Sequence, residues 1–268
     1  LRARPVCGRY TLAGSSSQEL QSRFGLDERL VTGPRFNICP GQEIVAITAH
    51  DGPVGRGTLL RWGLVPHWAK DPRIGYRMIN ARSETAAEKP AFRDSLRHRR
   101  CLIVADGFYE WQRQPGRARS RPFHLTRADA APFAFAGLWS VWHPADVAQA
   151  PLRSAAILTR AAAGAVSAIH DRQPVILADA MAEAQWLDPQ APTTAVVALM
   201  QSEPVPLTAR AVGSGAFAPG AGAGQQITLA LQGRGNNCTS SADFTHWTLI
   251  VHGKATEYHL FGKLEQTR

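Results

Sequence analysis

Residues 100–113 read RCLIVADGFYEWQR. After Arg100 the segment is an apolar run, β-branched in part and closing on aromatics, which reads as one strong strand. Other segments on both sides read the same way. Residues 8–12 begin a strand, as do "EIVAIT" (43–48), "GRGTLLRWG" (55–63), "RPFHLTR" (121–127), "PFAFAGLWSVW" (132–142) and "SAAILTRAA" (154–162). Helical patterns are fewer. "SSSQELQSRFGL" (15–26) offers a Ser N-cap and a Gly stop, and "DAMAEAQWLD" (179–188) has an Asp-capped start. "SETAAEKPAFRDSLRHRR" (83–100) is expected to be helical with Pro90 breaking or restarting it, and "AGAVSAIHDRQPVIL" (163–177) to pass from a short helix to a strand. Strands and helices are interspersed without a βαβ period. The expected class is therefore α+β with a mixed or antiparallel sheet, not a doubly wound one.

The chain has 268 residues, 44% of them hydrophobic and 19% charged, so a substantial core can form and disorder along the whole length is excluded. No apolar run approaches the roughly 18–20 residues that span a bilayer, and no apolar stretch follows the N-terminal arginines, so neither a membrane span nor a secretory signal is expected. Thirty basic against 21 acidic residues give a net charge of +9. That balance suits a polyanion such as nucleic acid, although arginine, alanine, glycine and proline are abundant together, as a GC-rich genome alone produces. Cys7, Cys39, Cys101 and Cys238 form no C-x-x-C pair, which gives no support to a zinc site and suits reduced thiols in the cytoplasm. No dinucleotide fingerprint, P-loop or nucleophile elbow is present. Near residue 213 the composition shifts to "GSGAFAPGAGAGQQ". We expect a main domain over 7–212, a Gly-rich linker over 213–226 and an appendage over 227–268 in which "FTHWTLIVHGKATEYHLFGKL" could form a hairpin.

Several polar positions stand out against this framework, each with a structural and a chemical reading. Cys7 lies beside Gly8, which lets a partner approach the backbone, and Arg9, which offers a cation; it is a nucleophile if its environment suits, or a buried strand cysteine. Glu110 ends the apolar run between Tyr109 and Trp111, where desolvation would raise its pKa toward general-acid range, or where it simply points to solvent. Asn80 and Arg82 in "RMINARSET" share one face of an extended segment and suit a sugar–phosphate backbone, or are a turn amide and a surface cation. His170 precedes Asp171-Arg172 and is either a proton shuttle or structural. Trp62, Trp68, Phe108 and Trp111 can stack bases or fill the core.

Taken in order, "CGRY", "RFNICPGQ", "WGLVPHWAK", "INARSET", "ADGFYEW" and "HDRQPVIL" resemble the signature blocks of the SOS-response-associated peptidase (SRAP) family over roughly residues 7–212. The resemblance implies a single α+β domain with a strongly curved, barrel-like sheet, peripheral helices and a basic groove. It implies a DNA-damage response protein, without cofactor or metal, that shields abasic sites in single-stranded DNA by a covalent crosslink through an N-terminal cysteine. The carried-over catalytic set is Cys7, Asn80, Glu110 and His170. The carried-over DNA-binding set is Arg9, Trp68, Arg82, Thr159 and Arg172. A cytoplasmic monomer, nucleoid-associated when bound, with autopeptidase and weak lyase activity, is expected. The alternatives are an N-terminal-nucleophile cysteine peptidase and a non-catalytic single-strand nucleic-acid-binding module. The chain departs from the family at Gln173 (commonly methionine or arginine), at Cys39 (commonly alanine) and beyond "VPLTARAVG". Val6 stands where the family has its initiator methionine, and GTG serves as a bacterial start codon. We therefore expect translation to begin at position 6 and the initiating methionine to be removed; the rival expectation is that "LRARPV" is a pro-segment cut off later.

Overall fold

The computed structural model describes residues 7–26, 30, 33–50, 52–116, 120–212, 226–233, 244–252 and 257–263. The stretch at 100–113 is not one strand but two. Arg100–Ala105 forms β6 and Gly107–Gln112 forms β7, and the two lie in different sheets. Asp106 makes the break. Its carboxylate accepts hydrogen bonds from the Thr11 hydroxyl (2.6 Å) and the Ala13 and Gly14 amides (2.5 and 2.6 Å), tying this corner to the end of strand β1, Tyr10–Leu12. Gly107 follows because nothing larger fits. A Cβ there would lie 2.3 Å from His124 Nε2 and 2.8 Å from Thr11 Oγ1. The apolar pattern reveals both strands, but the sheet switch depends on contacts from residues about a hundred positions away.

The remaining main strands are β2 (Arg35–Ile38), β3 (Glu43–His50), β4 (Gly52–Trp62), β5 (Asn80–Arg82), β8 (Arg121–Arg127), β9 (Phe133–Trp142), β10 (Leu152–Ala161), β11 (Arg172–Pro174) and β12 (Leu207–Ala211). Five strands close on themselves in the order β10-β4-β3-β6-β9, with β9 pairing back onto β10. All pairs in this small barrel are antiparallel except β10–β4. Closure leaves it no free edge. β5 and β11 add to β10 outside the ring, β5 in parallel register with Ile157 opposite Asn80 and Thr159 opposite Arg82. A second sheet runs β12-β8-β7-β1-β2. Its inward residues Tyr10 and Phe108 meet Trp62 and Phe135 of the barrel edge to face, with ring centroids 5.3 to 6.1 Å apart. Such pairs add about 0.5–1.5 kcal/mol each beyond the area they bury. The fold is thus α+β with a barrel-like, strongly curved mixed sheet, as the sequence led us to expect.

Helices are peripheral. α1 (Ser17–Phe24) carries a capping box between Ser16 and Glu19 and stops at Gly25 in the left-handed conformation (φ 63°). The helix expected over 83–100 is confined to α2, Arg93–His98; residues 83–92 make turns, because Pro90 cannot sit inside a helix that spans them. α3 (Gly164–Ser167) and α4 (Ala180–Leu187) fall where expected. α5 (Thr193–Gln201) was not foreseen; its β-branched residues masked its period. Arg23 pins α1 to α4 through two bonds to Glu183, at 2.8 and 2.7 Å. The expected N-terminal segment 1–6 and most of the expected linker, 213–225, lie outside the described residues. Beyond them β13 (Gln226–Gly233), β14 (Phe244–His252) and β15 (Glu257–Lys263) form a separate antiparallel meander, so the 244–263 segment is a hairpin with one further strand beside it.

Candidate functional site

Cys7 stands just before β1, and Glu110 projects from β7 on the same side as Phe108. Tyr10 pairs with Phe108 across the two strands, and this register brings the ends together. The Cys7 backbone nitrogen donates to Glu110 Oε1 at 2.5 Å. Cys7 is fully buried and Glu110 nearly so. Cys7 has φ 46°, a left-handed backbone that a non-glycine residue adopts at a cost of about 1–3 kcal/mol. Burial, with the Glu110 charge added, holds the Cys7 thiol well above its ordinary pKa. Burial also lifts the Glu110 carboxyl to about 7, against the lowering effect of the Cys7 and Trp111 amides. The pair is therefore a neutral thiol, a nitrogen and a carboxyl that can gain or lose a proton near physiological pH.

Arg9 follows on the same strand entry. Its Nη1 donates to Asn37 Oδ1 at 2.9 Å and lies 3.4 Å from Cys39 Sγ. Asn37 is fully buried and was not singled out in the sequence; as a lone amide in "RFNIC" it carried no spacing signal. Cys39 is buried and in contact with this arginine.

The other candidates gather where β5 and β11 flank β10. Asn80 is half-buried and Arg82 exposed on one face of β5, with buried Ala81 between them on the other. Thr159 is buried on β10; its hydroxyl donates to the Ala81 carbonyl at 3.4 Å. Arg172 reaches across from β11. It grips Glu84 with both terminal nitrogens, at 2.6 and 2.9 Å, and donates to the Thr159 carbonyl at 2.7 Å and hydroxyl at 3.2 Å. Glu84 is thus a residue that sequence reasoning missed, although it lies in the quoted "INARSET". The Arg172 partner holds its carboxyl below the ordinary carboxylate range. His170 is partly buried. Its Nδ1 accepts the Arg172 amide at 3.1 Å and lies 2.9 Å from Asp171 Oδ1. Burial depresses its pKa, and the Asp171 charge opposes this. The imidazole therefore favours its neutral form.

Two observations join the Cys7–Glu110 pair to this cluster. Asp171 is near enough for its charge to act on Glu110. A pocket of about 480 Å³ also separates the end of β7, at Trp111, Gln112 and Arg113, from residues 167–171. Trp68 stands apart, half-exposed on the loop after β4. Among the described residues no three metal-ligating side chains converge, and no helix is long and apolar enough to cross a membrane.

The family model described as SOS response associated peptidase (SRAP) matches residues 6–215. The chain is 43% identical over 188 residues to the abasic site processing protein YoqW of Bacillus subtilis, covering 69% of this chain and 81% of that protein. It is 32% identical over 154 residues to the abasic site processing protein YedK of Escherichia coli, covering 57% and 64% respectively. A crystal structure from Bordetella bronchiseptica superposes with a TM-score of 0.64 at 27% identity, covering 78% of this chain and all of that one. One from Bacteroides thetaiotaomicron has a TM-score of 0.68 at 21% identity, covering 77% and 92%, and shares the fold. With the match extending over the barrel, the flanking sheet and every candidate residue, the chain belongs to the SOS response associated peptidase family.

Proposed function

We propose that this protein processes abasic sites in single-stranded DNA by becoming covalently attached to them through Cys7. The observation that carries this reading is the buried contact between the Cys7 nitrogen and Glu110. When Cys7 is the first residue, that nitrogen is an α-amine with an ordinary pKa near 8. Glu110 accepts a proton from the α-ammonium, and the neutral amine attacks the aldehyde of the ring-opened abasic sugar. The carbinolamine then loses its hydroxyl as water, taking a proton back from Glu110, and an imine forms. The Cys7 thiol adds to the imine carbon; sulfur bonds to carbon, the thiol proton ends on nitrogen, and a thiazolidine closes. Amine and thiol on one residue give this second step a large effective concentration. A thiol kept protonated by burial suits this order, in which the amine acts first.

His170, largely neutral, moves protons at the sugar during opening and reversal. Asn80 orients the cysteine backbone or the opened sugar, and Arg9, Arg82, Arg172, Trp68 and Thr159 shape or bind the strand. Weak lyase activity follows from the imine, since an imine acidifies the neighbouring carbon. Autopeptidase action at the Val6–Cys7 bond, or removal of an initiator methionine at position 6, would expose the amine. The setting is a cytoplasmic monomer that joins the nucleoid when bound. The rival cysteine-peptidase reading needs a thiolate, which the buried, anion-flanked Cys7 disfavours. The test is a denaturing gel of the mature protein with abasic and intact single strands: a heat-stable adduct with the abasic strand alone supports the reading. Peptide turnover without an adduct would favour the peptidase, and equal binding of both strands without an adduct would favour a binding module.

A further inference from the structure

We infer that the pocket between the end of β7 and the turn before β11 holds the nucleotide next to the abasic site, its base against Trp111 and its phosphate at Arg113. The inference rests on the abasic-DNA reading above and gives that reading a subsite. Three features carry it. The pocket, of about 480 Å³, falls within the range of cavities that enclose small ligands, and a nucleotide is of that class. Its position is near the chemistry: Gln112 lies on the same face of β7 as Glu110, and His170 forms part of the opposite wall. Its lining has the composition that a nucleotide demands. Trp111 offers a partly exposed aromatic ring, and Arg113 is an exposed cation without a hydrogen bond or ion pair among the described residues.

The charges around the cavity fix the orientation. Arg113 and His170 are basic, and Asp171 is the one acidic group in the lining. Asp171 is 87% exposed in its side chain and turned to His170 Nδ1, so it stands at the rim on the α3 side. A phosphate is repelled there and drawn to Arg113 across the pocket. Arg113 also acts on His170, where its charge joins burial in holding the imidazole neutral. A phosphate neutralising Arg113 would relieve that pressure, so occupancy of the pocket raises the basicity of His170. The walls are held at a fixed spacing by the Gln112 side-chain amide, which donates to the Ala168 carbonyl at 2.7 Å. A preformed slot of this kind costs little ordering when a base enters.

The experiment measures non-covalent affinity for single strands bearing a non-reactive abasic analogue, with one flanking nucleotide altered at a time. A baseless residue on one side of the lesion is expected to weaken binding to the wild-type protein about tenfold, the scale of one base–aromatic stack. In Trp111→Ala the same alteration should cost less than about twofold. A neutral methylphosphonate linkage on that side should weaken the wild type and leave Arg113→Gln unaffected, and Arg113→Gln should lower the salt slope by about one. Arg113 is exposed, so its variant keeps the test open should Trp111→Ala fail to fold. Flanking alterations without effect on the wild type, or penalties of wild-type size in the variants, would overturn the subsite. Failure of the wild type to crosslink an unaltered, reactive abasic strand would instead overturn the underlying reading.

Discussion

Glu110 and Glu84 carry the same side chain in opposite surroundings. Glu110 is buried at the end of β7 with an amide nitrogen as its close partner, and burial lifts its pKa to about 7. Glu84 is about half exposed and clamped by Arg172, which lowers its pKa. The first is poised to exchange a proton. The second is a fixed anion that holds an arginine in place. The difference lies in where the fold puts cations: Arg172 sits on the β5–β10–β11 side, and none pairs with Glu110 among the described hydrogen bonds and ion pairs. Electrostatic clamping and proton transfer are thereby divided between two regions of the site.

The largest expected effect is at the nucleophile. Cys7→Ala should form no heat-stable adduct, while an imine remains trappable by borohydride because the α-amine survives. Next comes Glu110→Gln, which should slow adduct formation by about 10²- to 10⁴-fold, the usual loss for one general acid–base group. The wild-type rate should fall at acid pH, where Glu110 is already protonated and cannot take the ammonium proton. It should fall again at alkaline pH, where the amine–carboxyl pair holds no proton to give the leaving hydroxyl, and this alkaline fall should be absent from the variant. Rapid-quench measurement across pH 5.5–9.5, on the order of the range these groups span, checks both.

Stability sharpens the contrast. Glu110 binds its proton more tightly in the folded chain than at its ordinary 4.5, so the folded state holds more protons between about 4.5 and about 7. Stability should therefore decline as pH rises through that window and level off above it, and Glu110→Gln should flatten the curve. Glu84 has the opposite sign: its lowered pKa contributes stability above its ordinary value of 4.5, and this is lost as pH falls through the folded value. Half exposure screens that contribution, so Glu84→Gln should cost at most about 1 kcal/mol in denaturant melts. It should nonetheless weaken DNA binding more than adduct formation at saturating DNA, because Arg172 loses its anchor. The smallest effect is expected for Arg82→Ala, which should reduce the salt slope of binding by about one and leave the saturated rate near that of the wild type.

Much of this was legible in the sequence, and unevenly so. Alternation and turn residues revealed most strands, and the capping residues Ser16, Gly25 and Asp179 marked the helix ends where the chain places them. The sheet switch at Asp106 was not legible, because it depends on Thr11, Ala13 and Gly14 at the far end of the chain. At the site, the residues in ordered motifs could be listed, but their roles toward one another could not. Nothing in "INARSET" says that Glu84 rather than solvent holds Arg172, and nothing in "RFNIC" says that Asn37 is buried against Arg9. Glu110 could equally have faced water; the register that pairs Tyr10 with Phe108 turns it toward Cys7 instead.

The central claim is that the Cys7 nitrogen, backed by Glu110, makes the bond to DNA. Its most direct test is mass spectrometry of the adduct formed on a single strand with one abasic site, digested and sequenced to locate the attachment. The account predicts a mature chain beginning at Cys7, with the DNA fragment on that residue and the loss of one water from the two partners. An adduct located on another residue, or one formed through Cys7 in a chain that still carries residue 6, would contradict it.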